Sequence, residues 1–504
     1  MDTFVEALRQ VGEPGTLGVI LLAAIYGIFF GAIPGLTATM AVALVVPLTF
    51  WLGPLPALAA VVTLEASAIF AGDIPCALVR IPGTPASAAY ADDLYALARQ
   101  GRYLESMGAS IVFSVVGGLI GVAALVVLVK PLSAMATWFT SAEYFWFYLL
   151  GLGCAAAVTR GSPAKGVASL SIGLLLSTIG LSAGHAEPRF TFGRAELFHG
   201  IDLVPAMIGL FGVSEVFRHL MSAGAPMEPL STAVGPRDSL FGGVLRKLWS
   251  LRLQTARSSA IGTLVGMLPG AGADIAAWVS YGVSRKFAKK PEEYGKGSLE
   301  AYAEAGAANN AALASAWIPA LVFGIPGDSI TAIAIGILMM KNLQPGPEIF
   351  AKQGTLVVSL YVVFILANLL LIPIGALAVK AGGQLVRVPR KILVPVILFF
   401  CVLGAYAINA STFDVGVMLA LGLLGLLLER YGLPLGPVVL GLVLGGPLEE
   451  KMIQTLSKSG GSVRAFVDRG PSIVLAALAL LLWTWPLLAA LRKTRRADKM
   501  MRSD

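Results

Sequence analysis

Residues 31–50 read GAIPGLTATMAVALVVPLTF and residues 266–282 read GMLPGAGADIAAWVSYG, and each sets a Pro-Gly pair inside an apolar run. Proline lacks an amide hydrogen and clashes with the preceding turn, and glycine permits close backbone approach, so a helix is expected to break at each pair. Within a bilayer such a break is tolerated only where protein covers it or where it lines a watery cavity. A second pair follows in the same order: Ile81-Pro82-Gly83-Thr84-Pro85, and Gly324-Ile325-Pro326-Gly327-Asp328-Ser329. Order and approximate separation are kept on either side of a basic stretch, the pattern of an internal repeat with helices interrupted at corresponding depths. The chain therefore divides into a first membrane repeat (1–216), a basic cytoplasmic connection (217–257), a second membrane repeat (258–491) and a basic cytoplasmic tail (492–504).

After each break the chain supplies N-cap chemistry: Thr37 or Thr39, Thr84 with Pro85 as a first helical residue, Asp274, and Asp328 or Ser329. Four half-helix starts are expected. Their free amides carry partial positive charge and donors, and four at similar depth would suit an anion.

Composition agrees with a membrane setting. The 504 residues are 57% hydrophobic and 13% charged, where a soluble domain is about a quarter charged. Apolar runs near the length of a bilayer crossing recur, among them Met107 to Val129, Gly166 to Ala183, Thr355 to Ala378 and Ser472 to Leu491. Counting them gives on the order of ten to twelve segments of an all-α integral membrane protein. No removable signal peptide is expected at MDTFVEALRQVGEPG, so the first apolar run stays as an anchor.

The net charge of +8 gathers in three places: Arg218 to Arg257, Arg285 to Lys296, and the tail after Leu491. All three, and so the C-terminus, are expected on the cytoplasmic side. The short span 258–282 then has cytoplasmic flanks on both sides and a Pro-Gly break in its middle, which makes it a re-entrant hairpin; the alternative puts 285–296 on the far side. Trp483 and Trp485 form an interface belt before the tail, so its charge reads as topology rather than nucleic-acid binding. Cys76, Cys154 and Cys401 lie apart in apolar segments and read as core residues, and His185, His199 and His219 match no metal spacing.

Ionisable or amide groups in or near apolar stretches are Glu65, Asp73, Arg80, Asp202, Glu215, Asp274, Asn309, Asn310, Asp328 and Asp414. A lone charge at mid-bilayer costs about 2.5 to 3.5 kcal/mol on the insertion scale, so each needs a partner, a cavity or water. Asp202, Glu215 and Asp414 are expected at helix ends near water. Arg80, two residues before Pro82, suits a bidentate pair with a bound carboxylate, or alternatively an ion pair with Asp73 one face along. Asn309 and Asn310 point about 100 degrees apart on a helix, so that one can face a ligand and the other a neighbouring helix. Their carbonyls, with Asp274, are candidate sodium ligands. Enzyme signatures are weak: Gly270-Ala-Gly272-Ala-Asp274 misses the aspartyl-protease spacing, Asp92-Asp93 lacks a third acid, and no phosphate-binding loop is present.

The sequence resembles the large membrane subunit of the tripartite tricarboxylate transporters along nearly its whole length. The markers are residues 31–50, IPGTPAS (81–87), Glu143-Tyr144-Phe145, Arg189 to Gly193, IGLFGVSE (208–215), GMLPGAG (266–272), EAGAANNAA (304–312), GIPGDSITA (324–332) and QPGPEIF (344–350). The resemblance implies solute uptake across a bacterial inner membrane driven by a proton or sodium gradient. It also implies a small membrane partner subunit and a periplasmic solute-binding protein. Two departures border the expected site. Asp92-Asp93-Leu94 stands where the family usually has an Asp-Gly-Tyr-like element, and Arg80 stands where asparagine is common, which would retune selectivity from citrate toward another carboxylate.

The solute is expected between segments 31–39, 81–88, 266–275 and 324–331. The lining residues would be Gly35, Thr37, Thr39, Arg80, Gly83, Thr84, Ser87, Gly270, Gly272, Asp274, Asn309, Asn310, Gly327, Asp328 and Ser329. Movement of these segments against a scaffold would give alternating access, in an elevator-like manner by architecture alone. The rival readings are a non-conducting scaffold subunit and a membrane enzyme of unrecognised type.

Overall fold

A computed structural model describes residues 2–34, 36–157, 163–182, 184, 187–221, 239–385 and 390–484. Apart from the antiparallel pair Gly180–Leu181 with Pro188–Arg189, its regular structure is helical. Among the described residues five helices are long and apolar enough to cross a membrane: Pro14–Ala32, Pro54–Val79, Tyr103–Ala136, Gly354–Gly382 and Thr412–Arg430. Shorter apolar helices accompany them, including Ala38–Thr49 and Ser329–Met340. This is the all-α membrane class expected from composition.

The chain forms two compact units, Met1–Ala136 with Val204–Leu427, and Thr137–Leu203 with Leu428–Asp504. Each draws on both sequence halves. In the second unit, buried Glu143 accepts from Ser472 Oγ at 2.5 Å, from Thr140 and from Arg469, and Arg189 grips Glu449 bidentately at 2.8 and 3.0 Å.

The first unit contains the broken segments. Its relevant helices are α1 (Pro14–Ala32), α2 (Ala38–Thr49), α3 (Pro54–Ala71), α4 (Asp73–Val79), α5 (Ala91–Arg99), α6 (Tyr103–Ala136), α7 (Arg252–Gly266), α8 (Gly272–Phe287), α9 (Leu299–Phe323), α10 (Ser329–Met340) and α11 (Gly354–Leu385). Two small-residue seams repeat. On α1, a methyl added to Gly27 would meet the Leu64 carbonyl oxygen at 2.7 Å, and one on Gly31 the Ala68 carbonyl oxygen at 2.3 Å. On α7, Gly262 lies against the Ala308 carbonyl oxygen at 2.2 Å and Gly266 against that of Ala312 at 2.5 Å. In both halves a glycine pair four apart seats one helix on another running the same way, and the Pro-Gly break follows three residues later.

Helices α7 and α8 have 15 and 16 residues, and each falls short of the roughly 20 needed for a crossing. They form a hairpin whose turn lies opposite Ala312–Ser315, a little past the middle of the 25-residue α9. Both its ends return to Glu304 near the start of α9: Arg257 from α7 at 2.7 Å and Ser284 from α8 at 2.8 Å. The two flanks therefore lie at one end of α9, the arrangement of a hairpin. The basic stretch before the hairpin differs from a plain loop. Arg218 lies in the helix Ser214–Met221, Arg246 and Lys247 in Val244–Ser250, and Arg252 and Arg257 in α7 itself. Residues 222–238, His185, Trp485 and the 492–504 tail lie outside the described residues.

Candidate functional site

Residues 74–87, IPCALVRIPGTPAS, and 318–331, IPALVFGIPGDSIT, build the same local structure twice. Each helix ends with a residue in the left-handed region, Arg80 at φ 58° and Gly324 at φ 69°. The amides of Arg80 and Ile81 return to the Cys76 and Pro75 carbonyls at 3.2 and 3.4 Å, and those of Gly324 and Ile325 to Ala320 and Pro319 at 3.1 and 3.2 Å. This is a Schellman stop, which satisfies the last carbonyls of the helix. The chain then passes so close to its own helix that only glycine fits. A methyl on Gly83 would lie 2.4 Å from Gly72 Cα, and one on Gly327 would lie 2.7 Å from Ala316 Cβ.

A reciprocal pair of bonds follows in both copies. Ser87 N donates to Thr84 Oγ1 and Thr84 N to Ser87 Oγ, at 3.1 and 3.0 Å. Thr331 N donates to Asp328 Oδ1 and Asp328 N to Thr331 Oγ1, at 2.8 and 2.9 Å. At Asp328 this is a capping box that opens α10 and saturates two backbone donors. At Thr84 the same pair of bonds closes a turn that leads only into the three-residue 3-10 helix Ser87–Ala89, whose N-cap position is Ala86, so the half-helix expected to start with Pro85 does not form. Every matched pair is separated by the same 244 positions (327 minus 83, 316 minus 72).

The four breaks touch in sequence. A methyl on Gly83 would lie 3.0 Å from the Gly31 carbonyl oxygen, which joins the first break to the second. Ala86 N donates to Asp274 Oδ1 at 3.0 Å and Trp278 Nε1 to the Pro85 carbonyl at 3.2 Å, joining the second to the third. Gly272, at φ 58°, packs on Asp328, where an added methyl would lie 2.7 Å from its Cβ, joining the third to the fourth.

Residue by residue, the expectations fare unevenly. Thr37 caps α2 by accepting from Met40 N at 3.2 Å, and Thr39 is the second helical residue, not the cap. Asp328, not Ser329, caps α10. Asp274 is not a cap: it is the third residue of α8, and its carboxylate reaches across to the other sequence half. The positive φ of Gly270 and Gly272 turns the chain sharply, so the helix begins before the aspartate. Gly35 lies outside the described residues.

Arg80 does not pair with Asp73. Its left-handed backbone sends the side chain outward to Asp92 at 2.7 Å, with the two side chains 60% and 56% exposed. Asp73 is buried and accepts from Tyr90 OH, Ser110 Oγ and Tyr302 OH at 3.0, 2.8 and 3.2 Å. Asn310 donates to Ser114 Oγ on α6 and to the Gly306 carbonyl, both at 3.0 Å. Asn309 is 1% exposed, and neither its amide nitrogen nor its oxygen has a partner among the described residues. Glu215 is nearly buried and paired with Arg218, unlike the water-facing residue expected, whereas Asp202 is exposed and Asp414 accepts from Asn409 near the start of its helix.

Two residues named in the sequence reading, but not placed in the expected site, stand out in the structure. Asp93 anchors the approach to α9: its Oδ1 accepts from the amides of Gly295, Gly297 and Ser298 at 2.9, 3.0 and 2.8 Å, and Oδ2 from Tyr281 OH. Burial pushes its carboxyl above the usual range, against the pull of those donors. The second is Glu65, fully buried on α3, whose Oε2 accepts from Trp317 Nε1 at 3.3 Å. Aligning the halves on their Ile-Pro-Gly motifs would have exposed the matching Ile74-Pro75 and Ile318-Pro319, and with them the match of Glu65 to Asn309.

Residues 17–440 match the Tripartite tricarboxylate transporter TctA family. The chain belongs to the TctA family. An uncharacterized 52.8 kDa protein in the TAR-I ttuC' 3' region of Agrobacterium vitis is 32% identical over 486 residues, 95% of this chain and 93% of that protein. An uncharacterized protein in the TAR-II ttuC' 3' region of the same organism is 33% identical over 234 residues, 46% of this chain and 97% of that protein. No solved structure matches. In this TctA-family chain all four breaks fall inside the matched span, which is that of a transporter family. The charge at the breaks is uneven: hydroxyl side chains, the cap Thr37 and the turn pair Thr84 and Ser87, stand in the first half, while Asp274 and Asp328 stand in the second.

Proposed function

We propose that this protein is the large permease subunit of a binding-protein-dependent secondary transporter that imports small di- or tricarboxylate anions by ion-gradient-driven alternating access. The observation that carries the reading is the cluster of four broken-helix tips. An anion stripped of water needs several donors at once, and helix starts supply them, each contributing about 0.3 to 1 kcal/mol and up to about 2 when partly buried. The hydroxyl-capped start of α2 at Thr37 leaves its helix dipole less neutralised than the acid-bearing starts of α8 and α10 do, so it is the better seat for carboxylate, with the turn at Thr84 to Ser87 offering hydroxyl groups beside it. The amide of Ala86 already serves one carboxylate, that of Asp274. A solute carboxylate competing for that donor would part the second break from the third, which is a route from binding to movement.

The partners are a small membrane subunit and a periplasmic solute-binding protein, and the setting is the bacterial inner membrane. Proton or sodium drives uptake. Vesicles containing the chain, its small subunit and its binding protein should accumulate radiolabelled citrate, succinate or malate only under an ion gradient. A complete complex that accumulates none of the three under either gradient would leave a scaffold subunit or an enzyme as the better reading.

A further inference from the structure

Glu65 and Asn309 occupy the same place in the two repeats, 244 positions apart in the register that pairs Gly83 with Gly327. Both are buried near the middle of the helical span that precedes an Ile-Pro-Gly break, Pro54–Val79 (α3 with α4) for Glu65 and α9 for Asn309. Both hold polar atoms with no partner among the described residues: Oε1 of Glu65, and both amide atoms of Asn309. An uncompensated amide or hydroxyl in an apolar setting is costly, and an ionised carboxylate far more so. The scaffold thus keeps one spot for a neutral polar group and fills it in one repeat with a group able to take a charge.

The surroundings of Glu65 choose between a metal ion and a proton. One turn away on α3 lie Val61, Val62, Ala68 and Ile69, all buried and without oxygen ligands in their side chains. Its one protein partner, Trp317 Nε1, is a donor and cannot ligate a cation. The helices packed on α3 are α1, α2, α4, α6, α9, α10 and α11. Their titratable side chains are Tyr26 on α1, Asp73 and Cys76 on α4, and Tyr103, Glu105 and Lys130 on α6. Glu300, Tyr302 and Glu304 lie on α9, Tyr361 and Lys380 on α11, and α2 and α10 have none. Asp73, Glu105 and Glu304 are already held, by hydroxyls, by Arg102, and by Arg257 with Ser284. Lys130 and Lys380 are exposed. The titratable group that acts on Glu65 is Asp328, the cap of α10, a second carboxyl and not a cation. No cation pairs with Glu65 among the described residues.

We propose that Glu65 carries the coupling proton of this transporter, bound at Oε1 while Trp317 holds Oε2. The proposal rests on the transport reading above and specifies its driving ion. In each cycle one proton leaves water on the high-proton side, forms the O–H bond at Oε1 and neutralises the carboxylate. The same bond breaks when the site opens to the low-proton side, and the proton returns to water.

Infrared difference spectroscopy of the purified chain across a pH titration tests this without any solute. Wild type should show the carbonyl stretch of a protonated carboxylic acid persisting to neutral pH, and Glu65→Gln should lose that band while melting at the wild-type temperature. An unchanged band in the variant overturns the proposal. In vesicles with the full complex and radiolabelled citrate, succinate and malate, an imposed pH gradient should drive wild-type uptake and leave Glu65→Gln unresponsive. Trp317→Phe should move the midpoint of the pH profile upward by about one unit, because the lost donor favoured the ionised form. Uptake that follows sodium alone, or a Glu65→Gln that still follows the pH gradient, also overturns it. A band lost in the variant with no wild-type uptake would sink the transport reading while leaving the proton site standing.

Discussion

Arg80 occupies a left-handed backbone position that its counterpart fills with Gly324. A side chain there costs roughly 1 to 2 kcal/mol, and the exposed pair with Asp92 returns about 0 to 1 kcal/mol. Arg80→Gly should therefore melt at or above the wild-type temperature in detergent, and Gly324→Arg below it. The retained arginine points to use of its charge. Arg80→Ala should impair solute uptake more than Arg218→Ala, and Arg80→Asn, which tolerates the same backbone, should lose uptake equally while staying folded. Equal and mild effects at 80 and 218 would remove Arg80 from the site. Its place beside a break was legible from Pro82. Its partner was not, because the stop at Val79 reverses the chain and brings up Asp92 from a later helix in place of Asp73, seven residues back.

Helix breaks were the most legible elements, since Pro-Gly within an apolar run leaves few alternatives. Caps were less so: Thr37 and Asp328 sat where capping chemistry predicts, but the two left-handed glycines before Asp274 moved the start of α8 forward and freed its carboxylate. Seams that decide helix pairing were present in the sequence as Gly27/Gly31 and Gly262/Gly266, yet glycines alone do not say which neighbour they admit. Valine at Gly31 or Gly266 would drive its side chain into the Ala68 or Ala312 carbonyl. Each should cost about 2 to 4 kcal/mol, near the upper range for overpacking or beyond it, and should lower the melting temperature. Gly282→Ala, in α8 with open space around it, should be neutral or stabilising by about 0.5 to 1 kcal/mol.

At the scale of the molecule, the repeat is read from contacts: the stop and the paired bonds after it recur 244 positions on, and the glycines of the seam recur 235 positions on (262 minus 27). If the tips must part for solute to pass, joining them should arrest the cycle. With Cys76, Cys154 and Cys401 replaced, Ala86→Cys with Asp274→Cys, bridged by a short thiol reagent, should stop uptake in vesicles, and reductive release should restore it; unimpaired uptake after full bridging would mean that this contact never opens. What sequence halves could not convey is the interleaving of the compact units, because linear order says nothing about which distant segment completes a core. That interleaving bears on biosynthesis. Domains tend to fold as their residues emerge from the ribosome, but the strip 137–203 must wait for 428–504, while the whole of the first unit's second portion, 204–427, is made in between. During that interval Glu143 has neither Arg469 nor Ser472 to receive it, and Arg189 lacks Glu449. A nascent chain halted near Leu427 would hold unquenched charges on an unfinished surface, the kind of blemish that membrane quality-control proteases are equipped to find.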